Sequence, residues 1–262
     1  MKNPKNFAEW ADWFRDFQGR QLPVDWNSMT REPEEAKETV ARSVRQFQLG
    51  ESSEATQLKS KVAKLVKRGG DRHYADAIEW FIFEENRHAR LLGRFMAIED
   101  MPKAKKLFAD STFRFLRHMG GLLNQLLILS AAEMIAVPYY SALRRSTDSP
   151  ILTAICNQIL LDEAMHLRFQ GQSILMLTNK RSPLRLKWLR WRHKVLLELA
   201  VDVVWFGHAE LFRIGGYDFK TFRLESIEQF ELLWRTILKR DAPAEQPATD
   251  PSAIPNTLSL NP

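Results

Sequence analysis

The sequence predicts an all-α protein, built as an antiparallel four-helix bundle with additional helices at its N- and C-terminal ends. Three observations carry this prediction. Glycine and proline are sparse in the middle of the chain and crowded near its ends, which leaves long stretches without turn punctuation. Apolar residues in those stretches recur at the three-to-four-residue spacing of a helix face. The tripartite pattern carboxylate–Glu–x–x–His occurs twice, as Glu84-Glu85-Asn86-Arg87-His88 and Asp162-Glu163-Ala164-Met165-His166. On a helix, positions i and i+3 lie about 60° apart around the axis and about 4.5 Å along it, so a Glu and a His so placed reach one point in space.

The elements follow in order. Residues 1–33 hold a short amphipathic piece (Phe7, Trp10, Trp13, Phe14, Phe17) and a loop with Pro23 and Pro33, which together predict a brace or lid. The bundle occupies 34–178. Its first helix starts at Pro33, whose fixed φ suits a first turn, with Glu34 and Glu35 at the positive helix end, and runs to Lys67 before Gly69-Gly70. The second runs from Arg72 to Ala97, ahead of Pro102. The third spans Thr112 to Arg145, with Pro138 inside it as an expected kink, and the fourth spans Ile151 to Thr178. Short first–second and third–fourth turns make two antiparallel hairpins. Residues 179–240 form a helical extension on the bundle, with one helix from Leu184 to Ile214, stopped by Gly215-Gly216, and a shorter one from Leu224 to Arg240. The segment 241–262, rich in Pro, Ala, Ser and Thr, is expected to be disordered.

With 262 residues, 45% of them hydrophobic, the chain is long enough for one sizeable core. The formal charge is +6, and because the tail from Asp241 holds three acids and no base, the rest stands at +9. That balance fits solubility or an acidic partner without proving nucleic-acid binding. The lone Cys156 rules out an internal disulfide and fits a cytoplasmic setting. No apolar stretch follows the first residues, so no signal peptide is expected. The most apolar stretch noted, Val195 to Phe206, is interrupted by Glu198 and Asp202, and no transmembrane segment is expected.

Metal ligands in a bundle must point inward, so each must lie on its helix's apolar stripe. Glu85 and His88 fall between Phe81 and Leu92 on the second helix's stripe, and Glu163 and His166 between Ile159 and Gln170 on the fourth. Glu133 is the one acid in the interior of the third helix, among Ala131, Ala132, Met134 and Ile135, where a carboxylate without a partner is costly. On the first helix Glu51 is central to the stripe and Glu54 lies about 60° off it, which keeps Glu54 as a second candidate. Levels agree as well. Glu51 and Glu85 stand 18 and 16 residues from the turn near Gly69, and Glu133 and Glu163 stand 16 and 14 from the turn near Ser149. Six ligands therefore converge: Glu51, Glu85, His88, Glu133, Glu163 and His166. Four carboxylates and two imidazoles suit two iron ions, with manganese as a substitute. Glu84 and Asp162, at i−4 from the histidines, are placed to accept a hydrogen bond from the second ring nitrogen of a histidine across the bundle.

Over residues 36–178 this pattern resembles the ferritin-like di-iron carboxylate superfamily. Gly50-Glu51-Ser52 is similar to the first-helix ligand region of rubrerythrins. Glu84-Glu85-Asn86-Arg87-His88 and Asp162-Glu163-Ala164-Met165-His166 are similar to the motifs of soluble acyl-carrier-protein desaturases, with Met165 where those have Arg. The resemblance implies a ferritin-like bundle that activates O₂ or peroxide with an external electron donor, as an oxidoreductase or oxygenase on an organic substrate. A ferroxidase or peroxidase with no organic substrate, a tRNA-modifying di-iron hydroxylase and a non-catalytic scaffold are the alternatives. The chain lacks the cysteine pairs of a complete rubrerythrin and is shorter than typical desaturases.

Several features stand outside the ligand set. Tyr74 and Tyr140 lie on ligand-bearing stripes, where packing is the commoner role and electron transfer the rarer. Cys156 reads as a buried hydrophobe. Lys180 to Lys194 holds seven bases and no acid, with Trp188 and Trp191, and fits an acidic carrier protein, a membrane surface, RNA or simply a solvated helix start. Glu198, Asp202, His208 and Glu210 are not expected to be ligands.

Overall fold

The computed structural model describes residues 4–18, 24–28, 34–51, 55–102 and 120–238. Among them the secondary structure is entirely helical: α1 Phe7–Gln18, α2 Glu34–Glu51, α3 Ala55–Lys67, α4 Arg72–Ile98, α5 Leu122–Arg145, α6 Pro150–Thr178, α7 Pro183–Ile214 and α8 Phe219–Leu238. Pro23, Pro33, Glu54, residues 103–119 (where the third bundle helix was expected to begin) and the tail 241–262 lie outside the described residues.

Helix boundaries follow local chemistry. Asp71 caps α4 by accepting from His73 N at 2.9 Å. Ser149 caps α6 in the same way, accepting from Leu152 N at 3.2 Å, with Pro150 at the first helical position where its missing N–H costs nothing. The end of α3 is a left-handed glycine cap. Gly69 sits at φ +88°, and Gly70 N donates back to Leu65 O at 3.1 Å. The first bundle helix is described as α2 and α3, with residues 52–54 between them outside the described residues. One expectation shifts. The last helix begins at Phe219 rather than Leu224, because the Asp218 carboxylate accepts from Thr221 N at 2.7 Å and caps it earlier.

The core is one continuous cluster. α5 lies at its centre, packed on α6, α7, α8 and α3, and α6 also packs on α4 and α8. α4 packs against α2 and α3, so α2–α3 with α4 and α5 with α6 form the two hairpins of the bundle. Helix α5 runs through Pro138. It is also the one helix among the described residues long and apolar enough to cross a membrane, although 83% of its apolar window is buried against neighbouring helices. It is thus a more apolar stretch than Val195 to Phe206, and it owes this to being surrounded by protein.

The N-terminal helix reaches the middle of the bundle. α1 packs along α4 and buries Trp10 and Phe14. Trp10 Nε1 donates to Gln172 Oε1 at 2.6 Å, and Phe14 stacks edge-on against Phe81 and Phe169. These rings stand beside His166, with centroids 6.0 Å (Phe14) and 4.9 Å (Phe81) from the imidazole. Helix α1 therefore shuts water out of one side of the bundle's polar centre.

Candidate metal centre

Two Glu-x-x-His motifs, on α4 and α6, face each other across the bundle interior. Both imidazoles are fully buried and their centroids are 5.5 Å apart. One side-chain atom each from Glu85, His88, Glu163 and His166 lies within 4.8 Å of the others.

The hydrogen bonds around the histidines are crossed. His88 Nε2 on α4 donates to Asp162 Oδ2 on α6 at 3.0 Å, and His166 Nε2 on α6 donates to Glu84 Oε2 on α4 at 3.0 Å. An ionised carboxylate only accepts, so each Nε2 carries a proton, and each Nδ1 faces the interior, where it holds either a second proton or a metal. Arg87 ties the two acceptors together, donating to Glu84 Oε1 at 2.9 Å and to Asp162 Oδ2 at 2.7 Å. Gln158 Nε2 donates to the other Asp162 oxygen at 2.7 Å.

The inward atoms have no such partners. His88 Nδ1, His166 Nδ1, Glu85 Oε1 and Glu163 Oε2 are buried and make no hydrogen bond. His166 Nδ1 and Glu85 Oε1 are only 2.7 Å apart, while Glu163 Oε2 is 3.6 Å from His166 Nδ1 and Glu163 Oε1 is 3.6 Å from His88 Nδ1. Carboxylate oxygens and imidazole nitrogens this close together and shielded from water need protons on the imidazoles or a shared metal cation between them. Carboxylate oxygen and imidazole nitrogen are the donor set of iron and manganese sites, so the residues present fit a metal pair.

The remaining two sequence-predicted ligands flank this cluster. Glu133 on α5 is buried; its Oε2 is 3.7 Å from His166 Nδ1, and its Oε1 accepts from Gln170 Nε2 at 2.9 Å. Glu51, the last residue of α2, accepts from Tyr140 OH at 2.6 Å through Oε1 and lines a cavity of about 10 Å³ together with Glu85, Leu58, Phe81, Ile82 and Leu129. The structure thus brings Glu85, His88, Glu163 and His166 into one group, sets Glu133 against it, and places Glu51 across the small cavity from Glu85. Glu54 is outside the described residues.

Electrostatics carry the same message. Burial first, then the charges of Glu85 and Glu163, push the Glu51 carboxyl up to about 8. Burial opposes a charged His88, but the hydrogen bond and charge of Asp162, with Glu85 and Glu163 adding, win and raise it to about 9. His166 is raised well above the usual histidine value against its burial, by Glu85, Glu163 and Glu84. The cluster is strongly anionic and takes up cations, protons or metal.

Sequence reasoning missed three supports: Arg87, Gln170 and the Tyr140–Glu51 bond. Arg87 had a signal, since it sits inside the motif beside two acids that both needed a cation. Tyr140 was seen on its stripe, but the position of its hydroxyl against α2 depends on how the two hairpins dock. Glu198 and Glu210 are paired away from the centre, with Arg223 at 2.7 Å and Arg42 at 3.6 Å, and His208 Nδ1 bonds Ser43 Oγ at 2.7 Å.

No family model matches the sequence, and neither does any curated protein. Two solved structures are similar to the chain. One is a tyrosine-to-phenylalanine mutant of an R2-like ligand-binding oxidase with an anaerobically reconstituted Mn/Fe cofactor, with a TM-score of 0.59 and 15% identity, covering 90% of this chain and 95% of that one. The other is a glutamate-to-aspartate mutant of an R2-like ligand-binding oxidase with an aerobically reconstituted Mn/Fe cofactor, with a TM-score of 0.58 and 14% identity, covering 90% and 94%. The likeness shows the fold: the described residues form a ferritin-like helical bundle.

Proposed function

We propose that this protein holds two metal ions, iron or a manganese–iron pair, between α2, α4, α5 and α6, and that it is an oxidoreductase activating O₂ or peroxide. The observation that carries the reading is that Glu85, His88, Glu163 and His166 each bring a ligand-type atom within 4.8 Å of the others, and each has a buried inward atom that makes no hydrogen bond. Support comes from the shared fold with oxidases whose names specify a Mn/Fe cofactor. Glu85 and His88 would serve one ion, Glu163 and His166 the other, with Glu51 and Glu133 completing the set.

When bound, the metal pair supplies the redox chemistry on oxygen. The chain's own residues set its conditions. Asp162 and Glu84 lock each imidazole in one tautomer and orientation. Tyr140 engages Glu51 through Oε1, and Gln170 engages Glu133 through Oε1. The second oxygen of each carboxylate would serve a metal. Phe14, Phe81 and Phe169 exclude water from the His166 side. Electrons come from an external donor, since the only cysteine, Cys156, is buried and burial pushes its thiol up.

A second reading, oxidation of the metal itself with O₂ or peroxide and no organic substrate, is favoured by the size of the cavity. At about 10 Å³ beside Glu51 and Glu85, it is near the smallest volume that holds one water molecule.

The test is anaerobic loading with Fe(II), alone or with Mn(II), followed by admission of O₂ with simultaneous optical and oxygen-electrode recording. Metal-dependent O₂ uptake, lost in Glu163→Ala/His166→Ala, supports the reading. A loaded protein that consumes no O₂ and shows no spectral change contradicts it. Continued turnover with reductant and Fe(II) alone selects the metal-only oxidase.

A further inference from the structure

Helix α7 shows two faces. Leu186, Leu189, His193, Leu197 and Ala200 are buried against the bundle. On the opposite side Leu184, Trp188, Trp191, Val195 and Leu199 are exposed, from 40% for Val195 to 77% for Leu184. At 3.6 residues per turn these five fall within an arc of about 80° and run about 22 Å along the axis. An exposed apolar stripe of this length, holding two tryptophans, is not needed to fold the helix, which already has a core face.

The charges around the stripe are ordered. Arg185 and Arg192 flank it on one side, about 60–80° from its midline, and Lys187 and Lys194 on the other, about 80–100° from it. Arg192 also lies over the Trp188 ring, 5.2 Å from its centroid. Glu198, at the stripe's edge, is neutralised by Arg223 at 2.6 and 2.7 Å, and the exposed Asp202 follows one turn beyond the stripe's last residue, Leu199. The bases sit in the first half of the helix, where they oppose its dipole, so they do not serve helix stability.

We propose that this face of α7 docks the protein on the surface of an anionic lipid bilayer. Helix α7 lies parallel to the membrane, Trp188 and Trp191 enter the headgroup layer, and the lysines and arginines on both flanks reach lipid phosphates. Two-sided basic flanking around an apolar ridge matches a flat, laterally uniform anionic surface. A second copy of this chain is a poor occupant, because a two-fold contact through the ridge sets Arg185, Lys187, Arg192 and Lys194 against their own copies.

The full-length, metal-loaded protein is sedimented with phosphatidylcholine vesicles, with and without phosphatidylserine, over a range of salt. Binding to the phosphatidylserine vesicles alone, weakened by salt, is expected. Lys187→Gln/Lys194→Gln lowers the partition coefficient about thirtyfold. Trp188→Ser/Trp191→Ser lowers it as well, at an unchanged melting temperature, since both rings are solvent-facing. Equal binding to neutral vesicles, no vesicle binding, or binding that ignores both double variants overturns the proposal. Concentration-dependent dimerisation abolished by the tryptophan variant, without vesicle binding, replaces it with self-association. Salt-sensitive binding to an acidic acyl carrier protein, without vesicle binding, replaces it with a protein partner.

Discussion

His166 on α6 donates its Nε2 proton to Glu84 on α4, 3.0 Å away on the opposing hairpin, so each half of the bundle fixes the other half's imidazole. The bond turns His166 Nδ1 toward Glu85, Glu133 and Glu163. Replacing Glu84 by Ala frees the ring to rotate and removes the acceptor that selects its tautomer. Metal affinity should fall about 10–100-fold, measured by competition against a chelator of known strength, while Glu84→Gln, which keeps an acceptor oxygen, should lose less.

Arg87 pairs with two buried carboxylates at once. Its side chain is 12% exposed and those of Glu84 and Asp162 are 4% and 1% exposed, so the pairs are sheltered from solvent screening. Arg87→Met leaves both acids buried without their shared cation. A loss of about 3 kcal/mol in urea unfolding is expected for the metal-free protein, together with weaker metal binding.

Gly215 closes α7 against α5. A Cβ at this position would stand 2.4 Å from the Ala142 carbonyl oxygen, a backbone atom that cannot step aside. Gly215→Ala should destabilise by about 1–3 kcal/mol. Gly171→Ala is the matched control, because its Cβ would meet Leu233 Cδ1 at 3.5 Å, an ordinary contact inside a helix. Thermal unfolding should show a lowered midpoint for the first and little change or a gain for the second.

His193 is buried at the α5–α7–α8 junction, accepting from Trp234 Nε1 at 3.0 Å. Burial depresses its proton affinity to about 3. The unfolded chain binds this proton near 6.5 and the folded one does not until about 3, so stability is lost as pH falls through that window and is fully present above it. The loss accrues at about 1.4 kcal/mol per pH unit. His193→Asn keeps an acceptor for Trp234 and removes the titration, and its stability should fall less steeply from pH 6.5 to 3 than that of the parent.

Period and spacing made the bundle and the meeting of its two Glu-x-x-His motifs legible, because the candidate ligands lie on the core face of α4 and α6. Glu84 and Asp162 were recognisable as histidine partners from their i−4 positions. The helix starts at Pro150, Pro183 and Phe219 turn on single capping side chains, Ser149, Ser182 and Asp218, which a periodicity reading passes over. The contacts of Tyr140 with Glu51 and of Phe14 with His166 join elements 89 and 152 residues apart, and their geometry comes from hairpin docking and the path of α1. The exposed face of α7 was visible as a basic, tryptophan-containing run, but its division into ridge and flanks appears only once the opposite face is known to be buried.

The central claim is that buried side chains of four helices surround a pair of cations. Metal analysis of protein reconstituted with Fe(II) and Mn(II) and freed of excess ions tests it most directly, alongside Glu133→Ala and Glu163→Ala/His166→Ala. The account predicts two metal ions per chain in the parent, a reduced content in the first variant and a near-complete loss in the second. A parent chain that retains no stoichiometric metal, or a double variant that retains the full complement, would contradict it.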